Sequence, residues 1–166
     1  MDFNELRRYV LEFSMKQFIL MLLIFLSVTL LSGFSAPEGV IESISIIVNK
    51  DNPVGDLNAG EVKLYYTRKI KKRWHELNKN IRPADRKNKC AERDAFYSSI
   101  LGMKDYEVEE YFINKQVQNA ERPQDKFGNE ADLINFVADE PGAIGYIKTS
   151  SVTPEVRARV KIVLTL

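Results

Sequence analysis

The sequence predicts an α/β domain, a mainly parallel sheet flanked by helices, and three observations carry that reading. Four short apolar runs, at 41–48, 81–84, 143–147 and 160–166, read as strands, and helix-compatible stretches separate most of them. The first run, IESISIIV, alternates and then turns fully apolar, the pattern of a strand in a sheet covered on both faces. At 81–101 an extended run, a charged loop and a helix follow directly, the arrangement in which α/β proteins hold anions at a helix start. The 166 residues, 45% hydrophobic and 28% charged, suit one domain, or one domain plus a leader.

The leader comes first. Residues 18–31, FILMLLIFLSVTLL, are apolar except for Ser27 and Thr29, with Lys16 before them and Ser32, Gly33, Ser35 and Ala36 after. A charged start, an apolar core and a small-residue end make a secretory signal peptide over residues 1–36, with Met15 as an alternative true start. Cleavage is expected after Ser35 or Ala36, and Pro37 makes Ala36 the poorer choice. The alternative is an uncleaved helix anchored in the inner membrane, because the run to Ala36 approaches the length that spans a bilayer. Leu31-Ser32-Gly33 opens like a lipoprotein box, but Phe34 stands where the lipidated cysteine belongs, so no lipid anchor is expected. Residues 37–166 are the folded domain.

Within it, Asn49 to Pro53 break the first strand. A helix is expected from Leu57 or Asn58, capped by Asn58, with Val62, Tyr65, Tyr66 and the stem of Lys69 on its buried stripe. It is expected to continue through RKIKKRWHEL, which holds the only tryptophan, Trp74. After the strand at 81–84 and the loop at 85–90, a helix over 91–101 presents Phe96, Ile100 and Leu101, with Ala95 and Tyr97 beside them, and Gly102 stops it. A helix over 105–118 carries Val108, Tyr111, Phe112 and Lys115 along one side, and its acidic first turn suits the helix dipole. Residues 121–128 read as a polar loop. A helix over 130–139 is expected to bury Ala131, Ile134, Val137 and either Ala138 or Phe136, and Pro141-Gly142 ends it. The strand at 143–147 contains Gly145, which permits close backbone approach, and VKIVLTL closes the chain as a last strand.

Charge and chemistry narrow the function. The net charge of +1 hides a segregation: residues 63–93 carry a net +9, and the rest of the chain after Ala36 a net −8. Such a field attracts an anionic ligand, surface or partner. A single cysteine, Cys90, excludes an internal disulfide, and in an oxidising compartment it stays an unpaired thiol. The single histidine, His75, has no second ligand at metal spacing and reads as a surface residue. No nucleophile–base pair stands out, so an enzyme is not expected and no cofactor is implied.

The charge concentrates in the 81–101 stretch, IRPADRKNKCAERDAFYSSIL. First-turn N–H groups have no helical partner and carry partial positive charge. Arg86, Lys87, Lys89 and Arg93 add full charges there. An ordinary solvated loop is the plainer reading of the same residues. A nucleic-acid surface over residues 63–93, with Tyr65, Tyr66 and Trp74 interleaved among cations, is a third, and the export signal argues against it.

Taken together, IIVNKDNPV before a helix, IRPADR, ERDAFYSSILG, VEEYFINKQV and ADLINFVADEPGAIGYI resemble the phosphate-binding proteins of bacterial ABC transporters, in the type 2 periplasmic-binding fold. The resemblance covers residues 44–166 and implies one lobe of that fold, as in small single-lobe exported members. It implies a periplasmic protein that binds inorganic phosphate or a similar oxyanion, with an ABC permease or a second protomer as candidate partners and no nucleic acid. The site it implies comprises Asp85, Arg86, Cys90, Ala91 and Arg93, with backbone N–H groups of residues 90–92 pointing in and Asn52 as a further candidate. By this resemblance Asp85 accepts a hydrogen bond from a protonated phosphate, Arg93 matches an arginine one turn into the helix, and Cys90 stands at a serine position. The loop departs from the family's Gly, Ser and Thr chemistry, and a thiol is a weak donor. A one-lobed site leaves one face of the anion in water, so weak or moderate binding is expected unless a second protein closes it. The competing reading is a lone lobe kept for interaction or sensing, with a degenerate ligand site.

Overall fold

The computed structural model describes residues 42–70, 73–119 and 123–166, and the leader and its cleavage site lie outside them. The first strand, β1 (Ile44–Asn49), is buried along its whole length. Ile44, Ile46 and Val48 face one layer of the core, and Ile47 faces the other. That division is the alternation of a strand covered on both sides.

Helix α1 (Ala59–Tyr66) starts at the expected cap. The Asn58 Oδ1 accepts from the Glu61 N–H at 3.0 Å, and Glu61 Oε2 accepts from the Asn58 N–H at 2.9 Å, so each satisfies an orphan donor of the other. The helix does not continue into RKIKKRWHEL. The Thr67 hydroxyl donates to the Lys63 carbonyl at 2.6 Å, and Arg68 turns left-handed at φ 56°. Successive cations would repel along a helix face, and the turn lets Trp74 into the core instead. Its ring lies 5.0 Å from Tyr65 and its indole N–H donates to the Gly142 carbonyl at 2.9 Å.

Strand β2 (Arg82–Arg86) tolerates Pro83 for a geometric reason. The Arg82 N–H points toward the next strand, donating to the Gly142 carbonyl, so the missing Pro83 donor faces the opposite side. On that side the neighbouring strand begins only level with Ala84. Helix α2 (Ala91–Phe96) follows and widens into a π turn, Tyr97–Leu101, which Gly102 ends at φ 62°. The wider turn buries consecutive residues, Phe96 with Tyr97 and Ile100 with Leu101. Helix α3 (Asp105–Asn119) buries Val108 and packs Phe112 against the same layer.

Two elements were absent from the sequence reading: strand β3 (Asp125–Phe127), inside the expected polar loop, and helix α5 (Pro154–Arg159). The strand has three residues, too few for a periodic signal. The helix is announced by its Thr153 cap and Pro154 in its first turn. Between them, α4 (Glu130–Asp139) is capped by Asn129 and buries Leu133, Ile134 and Val137. Ala131, expected inside, is exposed, because the stripe is rotated toward Leu133. Strand β4 (Ala143–Lys148) brings Gly145 under that helix. A Cβ there would stand 2.7 Å from Leu133 Cδ2 and 3.0 Å from Val137 Cγ2, which is the close approach the sequence implied. Strand β5 (Val160–Thr165) ends the chain's regular structure.

The five strands lie in the order β3-β2-β4-β1-β5. Strands β2, β3, β4 and β5 run one way and β1 runs against them, so both pairs that β1 makes are antiparallel. A fully apolar strand carries no mark of its direction; its pairing decides it. Helices α1, α2 and α3 cover one face over Ile44, Ile46, Val48, Ile144, Tyr146 and Val163. Helices α4 and α5 cover the other over Ile47, Ala84, Ala143, Ile147 and Val160.

Candidate functional site

In open α/β sheets ligands sit beyond the carboxyl ends of the parallel strands. Here that end gathers Arg86 at the close of β2, Phe127 at the close of β3 and Lys148 at the close of β4. The loop 87–90 leads from it into α2.

Strand alternation sets the side chains of β2. Ala84 faces α4, and Asp85 turns to the α2 side, where it is 1% exposed. Both its oxygens are taken. Oδ1 accepts from the Tyr146 hydroxyl at 2.6 Å and the Arg86 N–H at 2.8 Å, and Oδ2 accepts from the Tyr97 hydroxyl at 2.7 Å. Burial, then the Asp85 charge, pushes the Tyr97 and Tyr146 hydroxyls well above their usual range. Asp85 therefore sits in the wall beneath the loop, and its carboxylate is spent on two tyrosines rather than turned toward the open side.

Arg86 is 8% exposed. Its Nη1 lies 3.0 Å from Glu92 Oε1, and its Nη2 donates to the Gly128 carbonyl at 3.5 Å. Nε has no hydrogen-bond acceptor among the described residues, and Nη1 meets the Glu92 carboxylate as an ion pair. Glu92, 3% exposed, also holds Oε2 at 4.0 Å from Lys148 Nζ. Glu130 closes the same end: Oε1 accepts from the Lys148 N–H at 2.8 Å, and Oε2 from the Ser151 hydroxyl at 2.6 Å.

Arg93 ties the loop down from behind. Its Nη1 donates to the Lys87 carbonyl at 3.2 Å, its Nη2 lies 2.5 Å from Asp105 Oδ1, and its guanidinium stands 5.0 Å over the Tyr97 ring. It is 3% exposed, so it clamps the loop to α3 and does not stand on the open surface. Cys90, the half-buried residue before α2, has its thiol pushed up by burial and so keeps its proton at neutral pH. Ala91, next to it, is exposed.

Asn52 is not brought to these residues. It follows β1, whose carboxyl end lies beside the start of β4 because the two strands are antiparallel. Its Oδ1 accepts from the Val54 N–H at 3.0 Å, its Nδ2 donates to the Pro141 carbonyl at 3.5 Å, and Lys161 Nζ donates to its carbonyl. It shapes a turn at the opposite end of the sheet from Asp85, Arg86, Cys90, Ala91 and Arg93, because β1 runs against its neighbours. His75 is exposed near that end. Glu92, Lys148, Glu130 and Gly128 are the site neighbours that sequence reasoning missed. Glu92 lay in plain view within the charged stretch, and Lys148 immediately after an expected strand.

Among the described residues no group of three or more His, Cys, Asp or Glu could hold a metal ion, and no helix is long and apolar enough to cross a membrane.

No protein-family model and no curated protein matches the chain. Solved structures do. A candidate phosphate ABC transporter substrate-binding protein with bound phosphate, from Clostridium perfringens, superposes with a TM-score of 0.56 at 29% identity, over 74% of this chain and 45% of that one. An ABC-type phosphate transport receptor from Vibrio cholerae matches with a TM-score of 0.54 at 18% identity, over 74% and 45%. PstS from Borrelia burgdorferi matches with a TM-score of 0.58 at 12% identity, over 74% and 46%. The chain thus spans less than half of each, and its five-stranded sheet with flanking helices corresponds to one lobe of such proteins.

Proposed function

We propose that this chain is an exported oxyanion-binding lobe of the phosphate-receptor type, taking phosphate or a similar anion at the end of β2. The observation that carries this reading is Arg86, nine-tenths buried, with Nε lacking a hydrogen-bond acceptor among the described residues and Nη1 facing a carboxylate. A guanidinium offers a planar fork that bonds two oxygens of one anion. Lys148 stands beside it, and Lys87, Lys89, Cys90 and Ala91 form the accessible rim, with Asp85 and Arg93 holding the loop from below. The solved structures with this lobe are described as phosphate receptors or binding proteins, one with phosphate bound, which supports the ligand class and a binding rather than catalytic role. Calorimetry or thermal shift with phosphate, sulfate and chloride tests it. Selective stabilisation by an oxyanion is expected, and no response to any of them at millimolar concentration would sink the reading. Export rests on residues 16–36 and is checked separately by the mass and location of the mature protein, with a new N-terminus near Ala36 or Pro37 expected. A permease or a second protomer is the partner that would close the open face.

One observation favours a second reading, an interaction or sensing module. Glu92 already lies against Arg86, as an anion would. A flat ligand screen together with retention of a defined protein partner by the folded lobe would select it.

A further inference from the structure

Glu92 departs from what a site for free anions calls for. Anion sites gather donors, and a carboxylate helps there only by accepting a proton that the ligand carries, yet here a carboxylate, with only 4% of its side chain exposed, bridges the two cations at the ends of β2 and β4. Oε1 lies 3.0 Å from Arg86 Nη1 and Oε2 lies 4.0 Å from Lys148 Nζ. Two oxygens of one anionic group, set against a guanidinium and an ammonium, are what a bound phosphate would also present.

We propose that Glu92 is a tethered competitor for the oxyanion position, so that the lobe binds a free oxyanion only when that carboxylate swings away from Arg86. The inference deepens the proposed function and rests on it. Three features fit displacement rather than a permanent structural pair. Arg86 Nε has no hydrogen-bond acceptor among the described residues, so Glu92 does not satisfy the whole guanidinium. Lys148 is more than a third exposed, so one side of the bridge opens to solvent. Glu92 is held by two cations and the weak donor of the Cys90 thiol, whereas Asp85 is locked by two tyrosine hydroxyls and a backbone N–H.

A side chain tethered to its site competes at an effective concentration of about millimolar or more. A ligand that must first displace it binds more weakly by the fraction of time the site stands open. The consequence is selectivity by charge. With Glu92 in place, Arg86 and Lys148 retain one net positive charge; with it withdrawn they present two. A dianionic oxyanion gains from both cations on displacing Glu92, and a monoanion merely exchanges one negative charge for another. The expected ligand class is therefore the doubly charged oxyanion, hydrogen phosphate or sulfate, over nitrate or chloride.

The test titrates inorganic phosphate into the folded lobe and into Glu92→Gln, which keeps the shape and removes the charge. Binding at least tenfold tighter in the variant supports the proposal. Equal affinities in the two proteins overturn it and leave the oxyanion-binding reading standing. Weaker binding in the variant also overturns it, since Glu92 would then assist the ligand. Absence of binding in both, at millimolar phosphate, removes the inference together with the reading it rests on. Should E92Q fail to fold, Glu92→Asp draws the carboxylate back by one methylene with charge retained, and an intermediate gain is expected. In the unaltered protein, the Arg86 Nε–H resonance should move in step with phosphate saturation, and a resonance that stays fixed at saturation counts against displacement.

Discussion

Tyr97 and Tyr146 donate to different oxygens of the same carboxylate, Asp85 Oδ2 at 2.7 Å and Oδ1 at 2.6 Å. The contact ties the π turn after α2 and the middle of β4 to the last residues of β2, beneath the loop that carries the cations. Phe96 stacks on Tyr146 with ring centres 4.2 Å apart, and Tyr66 packs against both rings. The loop 87–90 therefore rises from a rigid aromatic floor, which is what a site on a βα loop needs.

That floor sets the response to losing Asp85. Asp85→Ala takes the acceptor from two buried hydroxyls, Tyr97 and Tyr146, each costing about 1–3 kcal/mol when left unpaired. A loss of several kcal/mol in urea-unfolding stability is expected, with Asp85→Asn milder because one acceptor oxygen remains. Stability unchanged in D85A would show that the tyrosines bond elsewhere.

The same cluster fixes the alkaline behaviour. Burial, reinforced by the Asp85 charge, raises the folded-state ionisation of Tyr66, Tyr97 and Tyr146 above the usual value near 10. The folded protein then holds these protons more tightly than the unfolded chain does. The stabilisation is complete below the unfolded value and is lost as pH rises beyond it. Absorbance at 295 nm should show these three of the six tyrosines after Ala36 ionising only as the far-UV circular dichroism collapses. Ionisation of all six with the fold intact would contradict it.

Ligand binding should separate the two ends of the sheet. Arg86→Ala removes charge-assisted bonds worth about 1.5–3 kcal/mol each, so phosphate affinity should fall tenfold or more. Asn52→Ala should leave that affinity within about twofold, its cost being the lost turn contact to Val54, near 1 kcal/mol of stability. Raising salt should weaken binding to the unaltered lobe by screening its open face. An equal loss of affinity in both variants would place the ligand elsewhere.

Two glycines give a graded packing test. An added Cβ at Gly145 meets the ends of Leu133 and Val137, which can shift, so Gly145→Ala should cost about 1–3 kcal/mol. At Gly142 it would stand 2.2 Å from the backbone carbonyl oxygen of Asn80, which cannot move without the strand entry moving too. Gly142→Ala should be the more damaging, losing also the acceptor geometry for Trp74 and the Arg82 N–H. The order of the two melting temperatures decides it.

Local rules made much of this protein readable in advance. Asn58 as a cap, Gly102 as a stop, the interior placement of Val62, Phe96, Val108 and Val137, and the small residue at 145 all follow from period, capping and side-chain size, which act over a few residues. Those same signals misjudged the run after Tyr66. There, burial of Trp74 and the Thr67 back-bond outweighed helix-compatible composition. They also missed β3, too short to show a period.

Neighbouring residues alone marked four of the five strands, the starts of α1 to α4, and the crowding of cations at the turn between β2 and α2, because period, capping and charge are local properties. Only the tertiary structure decided that β1 runs against the other strands, which sends Asn52 to the far end of the sheet. It alone decided that Asp85 is consumed by Tyr97 and Tyr146, and that Glu92 lies between Arg86 and Lys148. Each of these depends on which strands lie side by side, and pairing between distant segments is settled by the packing of the whole sheet rather than by any local pattern.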